Sequence, residues 1–443
     1  MKTVNVDELL LHSRFNRSHT ALWIVSLLLI IFEGYDIGVV GASLPVIMQE
    51  FQIDPAIGGL IGSAGLIGML IGSVVFGMLS DKIGRIKVII INLLLVSIFV
   101  GLAGLTQEHT LFIGFRVIAG IGLGGLLPSV LATVTEFTPA GKKAFAVAFA
   151  GAGIPLGTIM VSGIGMNIMP AYGWRPLYFI AIIPIVLIPF VIKLIPDMMP
   201  LYIRKNETER IKKVLLKLAP SYKFEDGDQF EITKVNAKPG SYADLFKDKR
   251  ASNTIFFCIL YIIMQFIMFA LNVWTPQIMI QTGYSLTGGL VALIALNCGT
   301  ITGFAFGSFF AERIGYKRTL MIMLIIAIVV VFSLSFRSPA AVLTLLLYLS
   351  GTFSIGSSGL QNMFVGQAYP TDLRGTMLGL GLGVARVGAI AGPIILGIMI
   401  ATGTPIATIF YMLAIIVAVG FVVVLFIRDT VSNQAKKAKI VSE

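Results

Sequence analysis

Asp81-Lys82-Ile83-Gly84-Arg85 stands between an apolar run over 56–79 and another over 86–106, and the fold is read outward from it. Three charges in so short a stretch are too costly to leave in hydrocarbon, so the chain must leave the bilayer here, turn and re-enter. The arrangement returns as Glu312-Arg313-Ile314-Gly315 with Lys317 and Arg318, between apolar runs over 286–310 and 319–336. The sequence offset from Gly84 to Gly315 equals the offset from Pro139 to Pro370, two prolines that follow the fourth and tenth apolar runs. Two landmarks at one offset, each in a basic loop, indicate a duplicated unit of six helices. Internal repeats of this kind are typical of membrane proteins that work by alternating access, with a site between the halves near mid-membrane.

The remaining apolar runs cover 21–47, 111–134, 143–166, 173–195, 254–280, 340–366, 374–400 and 405–427. A helix needs about 20 apolar residues to cross roughly 30 Å of hydrocarbon, so twelve spans are expected. Composition agrees: 56% of the 443 residues are hydrophobic and 12% charged, with a mean hydropathy of +0.92. Soluble domains run near 45–50% apolar and about 25% charged. The expected architecture is an all-α membrane protein with a short segment over 1–20 and a six-helix half over 21–196. A central loop over 197–252, a second half over 253–428 and a tail over 429–443 complete it. Residues 1–20 hold Arg14, Arg17 and two histidines but no apolar run, so the first long stretch is a retained span. In the central loop, Ile203, Ile211, Leu215 and Leu218 fall along one side of a helix that would lie on the ends of the bundle.

The net charge of +11 is distributed as a membrane protein distributes it, and not as a nucleic-acid binder would. Of 33 Lys and Arg, only Arg175 and Arg337 fall in loops on one side, and Arg116 and Arg386 lie inside spans. The rest gather on the other side, which makes that side, and with an even number of spans both termini, cytoplasmic. Cys258 and Cys298 sit in apolar stretches as small hydrophobes, and three scattered histidines offer no metal cluster. No cofactor, no nucleophile and base set, and hence no enzyme chemistry is expected.

Ionisable groups inside hydrocarbon are functional by default. Glu33 and Asp36 are i and i+3 on the first helix, so their carboxylates point the same way, and two such acids in low dielectric resist joint ionisation. Either suits proton coupling. Arg116 and Arg386 stay charged at any working pH; one can neutralise an acid while the other forks onto a substrate carboxylate. Permanent structural ion pairs are the plain alternative. Around them Tyr35, Phe269, Trp274, Asn272, Gln361 and Asn362 are candidate substrate contacts. The three amides are the stronger choice, since an amide in hydrocarbon needs another helix or a ligand. Asp81, Gly84, Arg85, Glu136, Glu312 and Arg313 are candidates for gating latches, with Lys142 and Lys143 as further partners for Glu136. Glycines in the second span permit close packing, while Gly151 and Pro155 in the fifth span and Gly388 and Pro393 in the eleventh suggest breaks. Gly120-Ile121-Gly122-Leu123-Gly124 lies inside a span and lacks the strand-turn-helix setting of a nucleotide loop.

Gly77-Met78-Leu79-Ser80-Asp81-Lys82-Ile83-Gly84-Arg85 resembles the loop signature of the major facilitator superfamily, and Arg116 with Gly120 resembles its fourth-helix signature. Glu33-Gly34-Tyr35-Asp36, together with Arg374-Gly375-Thr376 and Ala385-Arg386-Val387-Gly388, is similar to the aromatic acid:proton symporter branch; Glu33 departs from that branch's usual Asp. The resemblance spans 15–428. It implies proton-driven import of an aromatic carboxylate (4-hydroxybenzoate, protocatechuate, benzoate or vanillate type) across a bacterial inner membrane by a monomer. Rivals are a carrier of another organic anion such as muconate or a short aliphatic acid, an exporter of aromatic acids, and a ligand sensor without flux.

Overall fold

The computed structural model describes residues 3–205, 207–220, 222, 229–231, 241–247 and 250–428, with the side chains of Thr3, Asp81 and Thr371 excepted. The tail over 429–443 and much of the central loop therefore lie outside the described residues. Among those residues, twelve helices are long and apolar enough to cross a membrane. The fold is all-α with two six-helix halves, and the spans expected from hydropathy each correspond to one of these helices.

The first half opens with strand β1 (Thr3–Asn5) and helix α1 (Val6–Leu11), followed by α2 (Arg17–Phe51), α3 (Pro55–Ile83), α4 (Arg85–Ala103) and α5 (His109–Phe137). The fifth span is broken into α6 (Lys143–Gly151) and α7 (Gly153–Tyr172), as its glycines suggested. The sixth is also broken, into α8 (Arg175–Ile180), a 3₁₀ turn over 183–187 and α9 (Ile188–Leu194). Pro184 and Pro189 sit in this span, and each removes a backbone donor. Helices α10 (Met199–Arg204) and α11 (Thr208–Leu218) and strand β2 (Gln229–Glu231) follow. The single helix expected over 203–218 is thus interrupted near Lys205. The face read from its sequence holds: Ile211, Leu215 and Leu218 are buried, and Ile203 packs partly buried beside them.

The second half comprises α12 (Ala251–Gln281), α13 (Leu286–Ile314), α14 (Tyr316–Ser333), α15 (Ala340–Ser350), α16 (Ser357–Ala368), α17 (Thr371–Ala401) and α18 (Ile406–Phe426). The expected break in the eleventh span is absent, because α17 runs unbroken through Gly388 and Pro393. The break lies in the tenth instead, where a π turn over 351–355 between Gly351 and Gly356 separates α15 from α16. The repeat reaches down to backbone torsions. Gly84 starts α4 at φ 99°, ψ 155° and Gly315 starts α14 at φ 92°, ψ 152°, a left-handed region that only glycine enters cheaply.

Contacts gather the chain into two compact units, one of Met1–Val39, Ala64–Val161 and Ile168–Asn236, the other of Val40–Ser63, Ser162–Asn167 and Ala237–Glu443. In the first, β1 pairs parallel with β2, Thr3 opposite Gln229. Val6 and Leu10 of α1 join Trp23, Val134 and Leu215 in one buried cluster. Asn16 donates to the carbonyls of Lys217 and Leu218, so the N-terminal segment is seated on α11. In the second unit, the ends of α2 and α3 pack on α12 and α17. A Cβ at Gly59 would lie 2.6 Å from the Pro393 carbonyl oxygen, and Ser63 donates to the Ile390 carbonyl at 2.8 Å.

Candidate functional site

In the first unit two of the four intramembrane charges, Asp36 and Arg116, meet. Arg116 on α5 forks onto Asp36 of α2: Nη1 donates to Oδ1, Nη2 to Oδ2 at 3.0 Å, and Nη2 also to the Asp36 carbonyl at 3.3 Å. The side chains are 3% and 1% exposed, so this is a desolvated pair. The geometry depends on glycines. At Gly34 a Cβ would run into the Ile154 carbonyl of α7, which clamps one side of α2. Thr158 then donates to the Gly34 carbonyl at 3.1 Å. Across the pair, a Cβ at Gly65 of α3 would come 3.2 Å from the Arg116 Nη2, so only glycine leaves the guanidinium its full slot. The Nε–H of Arg116 has no acceptor among the described residues.

Glu33 is buried on the same helix, one turn before Asp36. Tyr35 is buried too, and its hydroxyl donates to the Leu177 carbonyl at 2.8 Å, beside the edge-packed rings of Phe112, Trp174 and Tyr178. Tyr35 is thus engaged in holding α2 to α8. Arg116, read from sequence as a substrate contact, has Asp36 as its partner in this structure.

In the second unit, Asn272 of α12 donates to the Met268 carbonyl and accepts from Asn297 of α13 at 3.0 Å. The helix partner that an amide in hydrocarbon requires is therefore another amide. Asn297 was missed in the sequence, although a lone Asn in the apolar run over 286–310 carries the same signal as Asn272. Trp274 is fully buried and donates to the Pro393 carbonyl at 2.9 Å, and Phe269 is buried on the same helix. Asn362 is exposed and accepts from the Tyr261 hydroxyl at 2.6 Å. Gln361 is fully buried, and neither amide atom has a partner among the described residues. Arg386 is half-buried on α17. Gly381 and Gly388 seat that helix on Tyr261 and Ile262 of α12, and Arg386 is turned off that contact face.

The candidate latches separate into two kinds. Arg85 forms an ion pair with Glu136 at the end of α5, both side chains 18% exposed. Asp197 accepts from the Arg85 backbone N–H at 2.8 Å, and Glu136 accepts from the Met199 N–H at 3.1 Å. Asp197 was not singled out from sequence; it joins the loop at Gly84 to the start of α10. Lys142 lies over the Phe15 ring at 4.0 Å rather than on Glu136. In the repeat, Arg313 lies over the Phe309 ring at 4.0 Å, and exposed Glu312 forms no ion pair among the described residues. Lys317 instead donates to the carbonyls of Leu425 and Ile427 at the end of α18. The offset that relates Gly84 to Gly315 places Tyr316 and Gln367 opposite Arg85 and Glu136, so the repeat does not carry this ion pair. The expected role of the Asp81 carboxylate lies outside the described side chains.

Twelve apolar helices in two repeated halves, with a desolvated ion pair between α2 and α5, are the build of a multi-pass membrane carrier. The chain belongs to the Major Facilitator Superfamily, whose sequence profile matches residues 26–393. It is 33% identical over 435 residues to the benzoate transport protein of Acinetobacter baylyi, covering 97% of this chain and 93% of that protein. It is 30% identical over 410 residues to the gentisate transporter of Corynebacterium glutamicum, covering 91% and 87%. The crystal structure of a D-xylose-proton symporter is similar in fold, with a TM-score of 0.74 at 17% identity over 92% of this chain and 97% of that one.

Proposed function

We propose that the protein imports an aromatic carboxylate, of the benzoate or hydroxybenzoate kind, together with protons across a bacterial inner membrane, with both termini cytoplasmic. The observation that carries this reading is the buried fork of Arg116 on Asp36, with a second acid, Glu33, one turn away. A buried ion pair that can be opened by one proton is a switch. A proton on Asp36 cancels the charge that holds Arg116 and frees the guanidinium to turn toward an anion. Glu33 is the second carboxylate able to take or pass that proton. Arg386 supplies the fork for the substrate carboxylate. The substrate carboxylate then replaces Asp36 as the counter-charge of the freed guanidinium, so the cost of closing a dry gate falls. The Arg85–Glu136 pair, which ties α4 to α5 within the first half, acts as a latch released in one conformation. The relatives named for benzoate and gentisate support the ligand class.

The test is uptake of labelled benzoate by proteoliposomes under an imposed inward proton gradient, with 4-hydroxybenzoate, protocatechuate, vanillate and muconate as competitors. Gradient-dependent accumulation with aromatic acids competing is expected. Accumulation at the wild-type level in Asp36→Asn would remove Asp36 from the coupling step, and displacement by muconate alone would replace the aromatic ligand with an aliphatic diacid.

A further inference from the structure

A cavity of about 630 Å³ opens in the second unit at the ends of α12, α15 and α18 remote from the basic loops. Its walls mix apolar side chains, such as Met279 of α12, Leu347 of α15 and Phe410 of α18, with polar ones, Thr275, Gln281 and Thr282 among them. Its one charged lining residue is Arg337, in the loop between α14 and α15. Arg337 is exposed and makes no hydrogen bond or ion pair among the described residues. The loop that carries Arg337 is held in place, since the Tyr284 hydroxyl donates to the Ser338 carbonyl at 2.8 Å. Ile406 and Ala407, the first residues of the 21-residue helix α18, also line the cavity. First-turn N–H groups lack intrahelical acceptors and favour negative charge.

We propose that this cavity is a second binding site, separate from Asp36, Arg116 and Arg386, which captures a small amphipathic organic anion before it is transported. A single cation in a pocket of mixed apolar and polar lining suits a ligand with an acidic head, a hydrophobic body and polar substituents. The volume falls within the roughly 300–1,000 Å³ of small-molecule sites. An arginine unpaired among the described residues also raises the local concentration of anions at the mouth. The identity of the ligand as an aromatic carboxylate rests on the proposed function; the cavity itself does not.

The experiment uses the full chain and benzoate as the probe. Equilibrium binding to the solubilised protein should resolve two classes of site, one lost in Arg337→Gln and the other in Arg386→Gln. In proteoliposomes Arg337→Gln should raise the apparent KM three- to tenfold with little change in maximal rate, and Arg337→Lys should recover most of the loss. A single class of sites that survives Arg337→Gln, with KM unchanged, overturns the proposal. A KM effect seen in phosphatidylglycerol vesicles and absent in phosphatidylcholine overturns it also, by giving the cavity to a lipid headgroup. If the wild-type protein takes up no benzoate, the transport reading fails by itself. A benzoate site that is lost in Arg337→Gln still supports the cavity in that case.

Discussion

Replacing Asp36 with asparagine keeps the shape of the side chain and removes its charge, which leaves Arg116 as a cation with almost no access to water. At the 3.0 Å separation of Nη2 and Oδ2, the lost attraction is roughly 5 kcal/mol for an effective dielectric of about 20. Part of that is offset because Asp36 no longer has to be desolvated, so a net loss of about 3–5 kcal/mol is expected, as for other broken buried pairs. For a cooperative unit of about 200 residues this lowers the melting temperature by roughly 6–20 °C. The reverse substitution, Arg116→Gln, should cost less. An arginine has no neutral form to retreat to, whereas a lone carboxylate can take up a proton. The double variant Asp36→Asn/Arg116→Gln carries no buried charge, and it should recover at least half of the loss seen in Asp36→Asn alone. Thermal unfolding of the purified protein in one detergent measures all three against wild type. Losses that simply add in the double variant, or an Asp36→Asn protein that melts with wild type, would refute the argument that the pair is desolvated and coupled.

Other expectations follow from the packing. Gly59→Leu places a Cβ where only 2.6 Å separates it from the Pro393 carbonyl, so uptake should fall at least tenfold at an unchanged amount of protein in the membrane. Gly77→Ala meets nothing within 4 Å and should transport as wild type does. Leu215→Asp puts a charge into the cluster that seats α1, and limited trypsin digestion should then cut at Arg14 or Arg17 much faster than in wild type. Glu136→Gln weakens a pair whose side chains still reach water. Its stability cost should be about 1 kcal/mol, while uptake falls severalfold because the latch is lost.

Elements written in local composition were legible. Runs of apolar residues mark the spans to within a few positions, and Gly151 with Gly153 marks the break in the fifth. Glu33 and Asp36 were visible as neighbours because an i, i+3 spacing on a helix brings them to one side. Their partner was not legible: Arg116 lies three spans further along the chain, and nothing in spacing alone chooses between Arg116 and Arg386. The break in the tenth span had its signal in Gly351 and Gly356, but the same glycine density in α17 produced an unbroken helix. There the glycines serve close contact with α12, and a Cβ at Gly388 would collide with the Ile262 carbonyl. Asn272 was readable as an amide in need of a partner, whereas its pairing with Asn297 depends on how α12 meets α13. Strands as short as β1 and β2 leave no periodicity to read.

The pairing of β1 with β2 also bears on how the chain is made. Thr3 leaves the ribosome early, and its partner Gln229 is synthesised only after the whole first half has been made. At about 5–20 residues per second, that is a delay on the order of 10–45 s. During this interval Val6 and Leu10 have no α11 to rest on, and the first six spans are already being inserted. The N-terminal segment can therefore settle only after the first half has been delivered to the bilayer and the central connection has begun to emerge. Its docking would serve as a timer of biogenesis, marking a half that is complete before the next one starts.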